Sequence, residues 1–307
     1  MNWTNKISAF VLGAFSVLTI YPVSAAREPH RPHIWRIAQV TLLSTDVAAA
    51  RDFYEKLLPA GHITCEGCAK VSNDALMVNS VQSIYLSRAS FPVPANLLFS
   101  VAFATDNLGE LRRYLVAQGV ECSPPTTEKL ANTLLSVLDP EKHHILFLKQ
   151  PHYLESGFAR EPEEKLQIIH AGFIVHDRAA TEHFYKDILG FRPYWHGGMK
   201  DDQTDWVSMQ VPDGVDWLEF MVNVAPDADQ RLRGIMNHIA IGTTDIHVMQ
   251  KKLTDNGVKL TEQPKIGRDG KWQLNLYDPD DTRVEFMEFT PTQKPCCSEY
   301  TGPHPKP

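Results

Sequence analysis

Side chains able to do chemistry fall in a few places along the sequence. Cys65-Glu66-Gly67-Cys68 has the C-x-x-C spacing of redox and zinc sites, and Cys296-Cys297 stand side by side near the C-terminus. With no second C-x-x-C and no thioredoxin-like surroundings, redox catalysis is not expected of them. The expected role is structural: a local disulfide, or one tying the tail to a module, with Cys122 as the odd thiol. Elsewhere, His and Glu interrupt apolar, β-prone runs. His170 opens His170-Ala171-Gly172-Phe173-Ile174-Val175, and His238 opens His238-Ile239-Ala240-Ile241-Gly242. Glu219 lies within Trp217 to Val222, and Glu285 within Val284 to Phe289. Imidazoles and carboxylates bind first-row metal ions and move protons, but a single one on a strand reads as a hydrogen-bonded structural residue, so the elements around them must decide. Tyr194, Trp195, His196, Trp206, Trp217 and Trp272 lie near the same stretches. The rings either shape a pocket or pack a core, and His196, followed by Gly197-Gly198, is a candidate supporting acid or base.

Those elements repeat. A strand, an Asp helix cap, and a helix followed by Gly recur in four copies that begin near Ala38, Leu98, Ile169 and Asn237. In the third, Asp177 caps a helix with the stripe Ala180, Phe184 and Ile188 before Gly190. In the first, Asp46 caps the stripe Ala49, Phe53 and Leu57, and Phe53-Tyr54 corresponds to Phe184-Tyr185. Asp106 is matched with Asp245, Gly119-Val120 with Gly257-Val258, and the Asp-Pro turn at Asp139 with that at Asp278. Each copy is then a strand, a helix and about three more strands. Two copies form a module, giving modules at 36–150 and 167–291. Residues 151–166, rich in Glu and Pro, read as a linker, and 292–307 as a Pro-rich tail lying along the surface.

Composition sets the outer bounds. The chain has 307 residues, 43% of them hydrophobic and 22% charged, which excludes disordered and fibrous classes and allows two domains. Lys and Arg total 30 against 37 for Asp and Glu, a net charge of -7 with no block of like charges, so nucleic acid is excluded as a partner. Residues 1–26 carry one early Lys, an apolar run from Ile7 to Tyr21 and small residues at Val23-Ser24-Ala25-Ala26. This is the pattern of a signal peptide, and the run is shorter than the roughly 20 residues of a spanning helix. The expected mature protein is periplasmic or secreted and has no stable membrane insertion after cleavage.

Paired strand-helix-strand-strand-strand units, with His opening strands and Glu closing them, resemble the vicinal oxygen chelate superfamily, the glyoxalase/bleomycin resistance/extradiol dioxygenase superfamily. The stretch from His170 through Phe184-Tyr185 to Leu189-Gly190-Phe191 is similar to the first glyoxalase I signature. His238-Ile239-Ala240-Ile241-Gly242-Thr243-Thr244-Asp245 resembles the core of the second, although Met236-Asn237 departs from it. The resemblance implies an α+β fold of tandem βαβββ units, two modules each curled into an incomplete barrel. It also implies one divalent metal ion on His170, Glu219, His238 and Glu285. Two imidazoles and two carboxylates suit Zn, Ni, Co, Mn or Fe(II) and leave positions open. Gly172, Ala240 and Gly242, on the ligand faces of their strands, are expected to leave room for a bound molecule. The corresponding residues of the first module are Gln39, Tyr85, Phe99 and Leu146, which makes it a degenerate module without metal ligands.

The implied activity is a glyoxalase-like lyase or isomerase reaction on a small vicinally oxygenated substrate, by metal-stabilised enediolate proton transfer with Glu285 as the catalytic base. Glutathione is scarce outside the cytoplasm, so export favours another 1,2-dioxygenated substrate. A degenerate first module beside a metal-bearing second also resembles Fe(II)-dependent extradiol dioxygenases, but their signature Tyr is replaced here by Asn275, and Tyr277 directly precedes Asp278. A third alternative is a non-catalytic protein that sequesters a small molecule. Monomer and homodimer are both compatible with a fused pair of modules.

Overall fold

In the computed structural model, residues 29–58, 75–124, 126–127, 133–149 and 165–307 are described. The expected signal peptide, the Cys65 to Cys68 motif and all but the end of the expected linker lie outside them. The N-terminal half contains β1 (Ile34–Ser44), α1 (Val47–Leu57), β2 (Ala75–Asn79), β3 (Gln82–Arg88), β4 (Leu98–Thr105), α2 (Leu108–Ala117), β5 (Thr126–Thr127), β6 (Thr133–Leu138) and β7 (His144–Lys149). The C-terminal half contains β8 (Gln167–Ile174), α3 (Arg178–Glu182, continued by a π-helical turn over His183–Ile188), β9 (Arg192–Gly197), β10 (Trp206–Gln210) and β11 (Trp217–Met221). It goes on through α4 (Gln230–Met236), β12 (His238–Thr243), α5 (Ile246–Asp255), β13 (Lys265–Ile266), β14 (Trp272–Tyr277) and β15 (Arg283–Glu288).

The strands form a seven-stranded sheet, ordered β2-β3-β1-β4-β7-β6-β5, and an eight-stranded sheet, ordered β13-β14-β15-β12-β8-β11-β10-β9, which curls into a half-barrel. In every unit the first strand pairs in parallel with the last: β1 with β3, β4 with β7, β8 with β11 and β12 with β15. The first strands of the two units in a sheet pair antiparallel, β1 with β4 and β8 with β12. The mixed architecture of βαβββ units is therefore the observed fold.

Local chemistry explains the helix starts. Asp46 Oδ1 accepts from the N–H groups of Ala48 and Ala49, Asp177 from Ala180, and Asp245 from His247 and Val248. In the second unit the cap is Asn107 rather than Asp106: Asn107 Oδ1 accepts from Glu110 N, while Asp106 lies 2.9 Å from His33 Nδ1. The repeat match is therefore shifted by one residue there, and the strand register agrees. Thr41 faces Ser100 as Gly172 faces His238, so the counterpart of His238 is the buried Ser100, not Phe99.

One apolar core runs through both halves, and the contacts between them are reciprocal. Tyr54 of α1 donates to Asp278 Oδ2 at 3.2 Å, and Tyr185 of α3 donates to Asp139 Oδ2 at 3.0 Å. Two residues beyond each Asp, Glu141 accepts from the N–H groups of His176 and Asp177, and Asp280 accepts from Thr45 N and Ser44 Oγ. Gln82 adds a bridge, donating to Ile37 O and Ile168 O and accepting from Ile168 N.

The expected tail holds no helix or strand, yet it is docked rather than loose. Thr301 N donates to Tyr194 O, Cys296 N to Arg268 O and Gln210 Nε2 to Pro303 O. Cys296 and Cys297 are bonded to each other, so they do not tie the tail to a module, and Cys122 is a free thiol. Among the described residues, no helix is long and apolar enough to cross a membrane.

Candidate metal centre

The concave face of the eight-stranded sheet brings His170, Glu219, His238 and Glu285 together from four strands. Register does this: Ala240 pairs with both His170 and Glu285, while Gly172 pairs with both His238 and Glu219. The imidazoles meet with Nε2 to Nε2 at 3.0 Å. A Glu219 oxygen lies 3.5 Å from His238 Nε2, and a Glu285 oxygen lies 3.6 Å from His170 Nε2 and 3.9 Å from His238 Nε2. His170, His238 and Glu285 are buried and Glu219 is nearly so, with 14% side-chain exposure.

The donor set fits a cation. His238 Nδ1 lies 2.9 Å from Met236 O, which can only accept, so the ring proton sits on Nδ1 and Nε2 presents a lone pair to the cluster. Burial, and then the charge of Arg283, hold both imidazoles well below the usual His range, so they are neutral ligands. Burial and then the Glu285 charge push Glu219 up to about 8, and burial pushes Glu285 up to about 7. Two neutral imidazoles and two carboxyls gathered out of water, where burial disfavours the carboxylate charges, are groups that a divalent cation stabilises in their ligand forms.

The glycines act differently from expectation. A Cβ on Gly172 would lie 2.1 Å from the His238 ring, and one on Gly242 would lie 2.3 Å from the Phe289 ring. The space beside them is occupied by packed rings and is not left for a bound molecule. The cavity opens instead beside Glu219 and Glu285, with a volume of about 310 Å³. Tyr194, Trp195, Trp206 and Trp217 line it. Trp272 packs against His247, and the exposed His196 lines a separate cavity.

Of four further features of this site, Tyr300, Lys271 and Arg283 were not anticipated from the sequence, whereas Asn275 was. Tyr300 of the tail forms part of the cavity wall and donates to Asp269 O at 3.0 Å. Lys271 is fully buried behind the rings, with Nζ 4.6 Å from the centre of Trp217 and over Tyr194 and Tyr300 as well. Burial lowers its ammonium to about 8. Asn275, directly across from Glu285, donates to Glu262 and has a buried Oδ1 with no partner. Arg283 lies two residues before Glu285 and also lines the cavity. Strand alternation could have found Arg283, whereas no spacing signal marks Tyr300 or Lys271.

Among the described residues, the N-terminal half shows no such convergence. At the corresponding places it carries Gln39, Tyr85, Ser100 and Leu146, with no His or carboxylate.

Residues 167–286 match the family model of the Glyoxalase/Bleomycin resistance protein/Dioxygenase superfamily. Among solved structures, the chain is similar to a homoprotocatechuate 2,3-dioxygenase from Brevibacterium fuscum, at 20% identity and a TM-score of 0.62, over 91% of this chain and 75% of that one. The enzyme of the same name from Arthrobacter globiformis is 18% identical with a TM-score of 0.60, over 89% of this chain and 83% of that one. These likenesses concern the fold. Comparison with curated proteins gives no match.

Proposed function

We propose that the chain is a divalent-metal-dependent enzyme that moves a proton beside two neighbouring oxygens of a small substrate, in a glyoxalase-like lyase or isomerase reaction. His170, Glu219, His238 and Glu285 hold the metal in this reading. The observation that carries it is Glu219, whose carboxylate closes on the two imidazoles and, with Glu285 on their other side, brings the set to two imidazoles and two carboxylates. A cation held there supplies Lewis acidity to the substrate oxygens. Glu285 takes the proton from the carbon next to those oxygens and returns it to the neighbouring carbon. The aromatic walls of the cavity lie beside Glu219 and Glu285, where they would pack against the carbon skeleton of the substrate.

The test is deuterium uptake from D2O at carbon, followed by NMR, with vicinally oxygenated candidates and protein loaded with Zn, Ni, Co, Mn or Fe(II). Exchange should occur in the wild type and be lost in Glu285→Gln while metal content persists. Metal well below one ion per chain after careful reloading would overturn the enzyme reading in favour of a sequestering protein.

A second reading, an Fe(II)-dependent extradiol-type dioxygenase, is favoured by the shared two-half fold of the homoprotocatechuate dioxygenases. Oxygen uptake with catechols by the Fe(II)-loaded protein, without carbon exchange, would establish it instead. Against it stands Asn275, whose amide has no readily transferred proton beside Glu285. The N-terminal pattern further supports export, and mass measurement of the mature N-terminus near Ala26 tests that.

A further inference from the structure

We propose that Arg283 is an anion subsite, and that the substrate is a small acid with two neighbouring oxygens at one end and a carboxylate or similar anion at the other. This rests on the reading of the cavity as the substrate site.

The argument begins with unmatched charge. Three cationic residues line the cavity, and two of them are already paired. Lys265 Nζ donates to Glu262 Oε2 at 2.9 Å, while Arg268 donates to Gly198 O and pairs with Asp201. Arg283 acts on Glu219 and Glu285 through its charge but makes no ion pair within 4.0 Å among the described residues, and its Nε is buried without a hydrogen-bond partner. The acids that feel the Arg283 charge are Glu219 and Glu285, whose carboxyls are turned to the metal cluster, while Glu262 is taken up by Tyr277 at 2.6 Å, by Asn275 and by Lys265. A guanidinium drawn into a cavity and left with unused donors is poised to receive a planar anion through parallel hydrogen bonds.

The charge count gains force once a divalent cation is held. Its two charges offset those of Glu219 and Glu285, and Asp269 offsets Lys271, so Arg283 is left as the surplus positive charge. Distance then sets the shape of the ligand. Arg283 and Glu285 are alternate residues of β15 and point to the same face, so their Cα atoms are roughly 7 Å apart. That separation suits a six-membered ring or a four-carbon chain between the chelating oxygens and the anion. The cavity volume of about 310 Å³ and its indole walls suit the same size of molecule.

The probes are catechol and 3,4-dihydroxybenzoate, which share a pair of vicinal oxygens and differ by one carboxylate. Calorimetric titration into the Zn-loaded full-length protein should show the carboxylated probe binding roughly tenfold to a hundredfold tighter. Arg283→Met should erase that preference, read as the ratio of the two affinities within each protein, because the Arg283 charge also acts on the metal ligands and can move both affinities together. Arg283→Lys should retain part of it, which guards against a variant that fails through misfolding. Equal affinities in the wild type, or a preference that survives in Arg283→Met, overturn the anion subsite and leave the metal reading intact. Failure of both probes to bind overturns the substrate-site reading and this inference with it.

Discussion

His238 is held from two sides before any ligand arrives. Its Nδ1–H is fixed on the Met236 carbonyl, and its ring fills the space that a side chain at position 172 would need. Replacing His238 by Ala should lower metal affinity by more than about tenfold, read by competition with a chromophoric chelator. The pH dependence of stability follows from the raised carboxyls. Glu219, at about 8, and Glu285, at about 7, stand above the roughly 4.3 of a free Glu, so the metal-free folded protein retains protons that the unfolded chain gives up. The stabilisation is full below about pH 4 and is lost as pH rises through 7 and 8. Asp216, pushed by burial up to about 7, acts in the same direction. The Tm of metal-free protein should therefore be lower at pH 8 than at pH 5, and added Zn should raise it more at pH 8, where fewer protons must leave the ligands. Differential scanning calorimetry at both pH values checks this.

At the scale of elements, alternation on strands decides which residues meet. Gly172→Ala should displace the His238 ring, costing about 1–3 kcal/mol by overpacking and more in metal binding than in stability. Thermal melts together with metal analysis of the same sample separate the two effects. The repeat, the helix caps Asp46, Asp177 and Asp245, and the four converging residues were legible in the sequence because they obey short-range periodicity and matching spacings. What was not legible depends on contacts between distant segments. Asp106 looked like a cap because it aligned with Asp245, but the next residue, Asn107, reaches the helix N–H groups first. Tyr300 lies in a run of prolines with no periodicity, and only docking of the tail against β9 brings it to the cavity. The glycines signalled close approach correctly, but a sequence cannot say whether a ring or a ligand fills the gap.

At the scale of the whole molecule, the half without the His and Glu set braces the half that carries it. The Tyr54–Asp278 and Tyr185–Asp139 bonds cross between the halves, each using the buried hydroxyl of a tyrosine. Tyr54→Phe and Tyr185→Phe should each cost about 1–3 kcal/mol, because each leaves a buried carboxylate short of a donor. Urea denaturation at fixed pH would measure it, and Tyr54→Phe should loosen metal binding at a site to which Tyr54 contributes no ligand.

The crossed bonds also have a consequence for how the chain is held as one piece. Each half gives a tyrosine and receives one, and each offers an acidic turn to the start of the other's helix. Two identical subunits related by a twofold axis would make a contact of this self-complementary kind. Covalent continuity between the halves is then dispensable to their association. Cutting the chain between residues 151 and 164 and producing the two pieces together should give a complex that copurifies and binds metal, whereas the C-terminal piece produced alone should aggregate through the apolar face it normally shares.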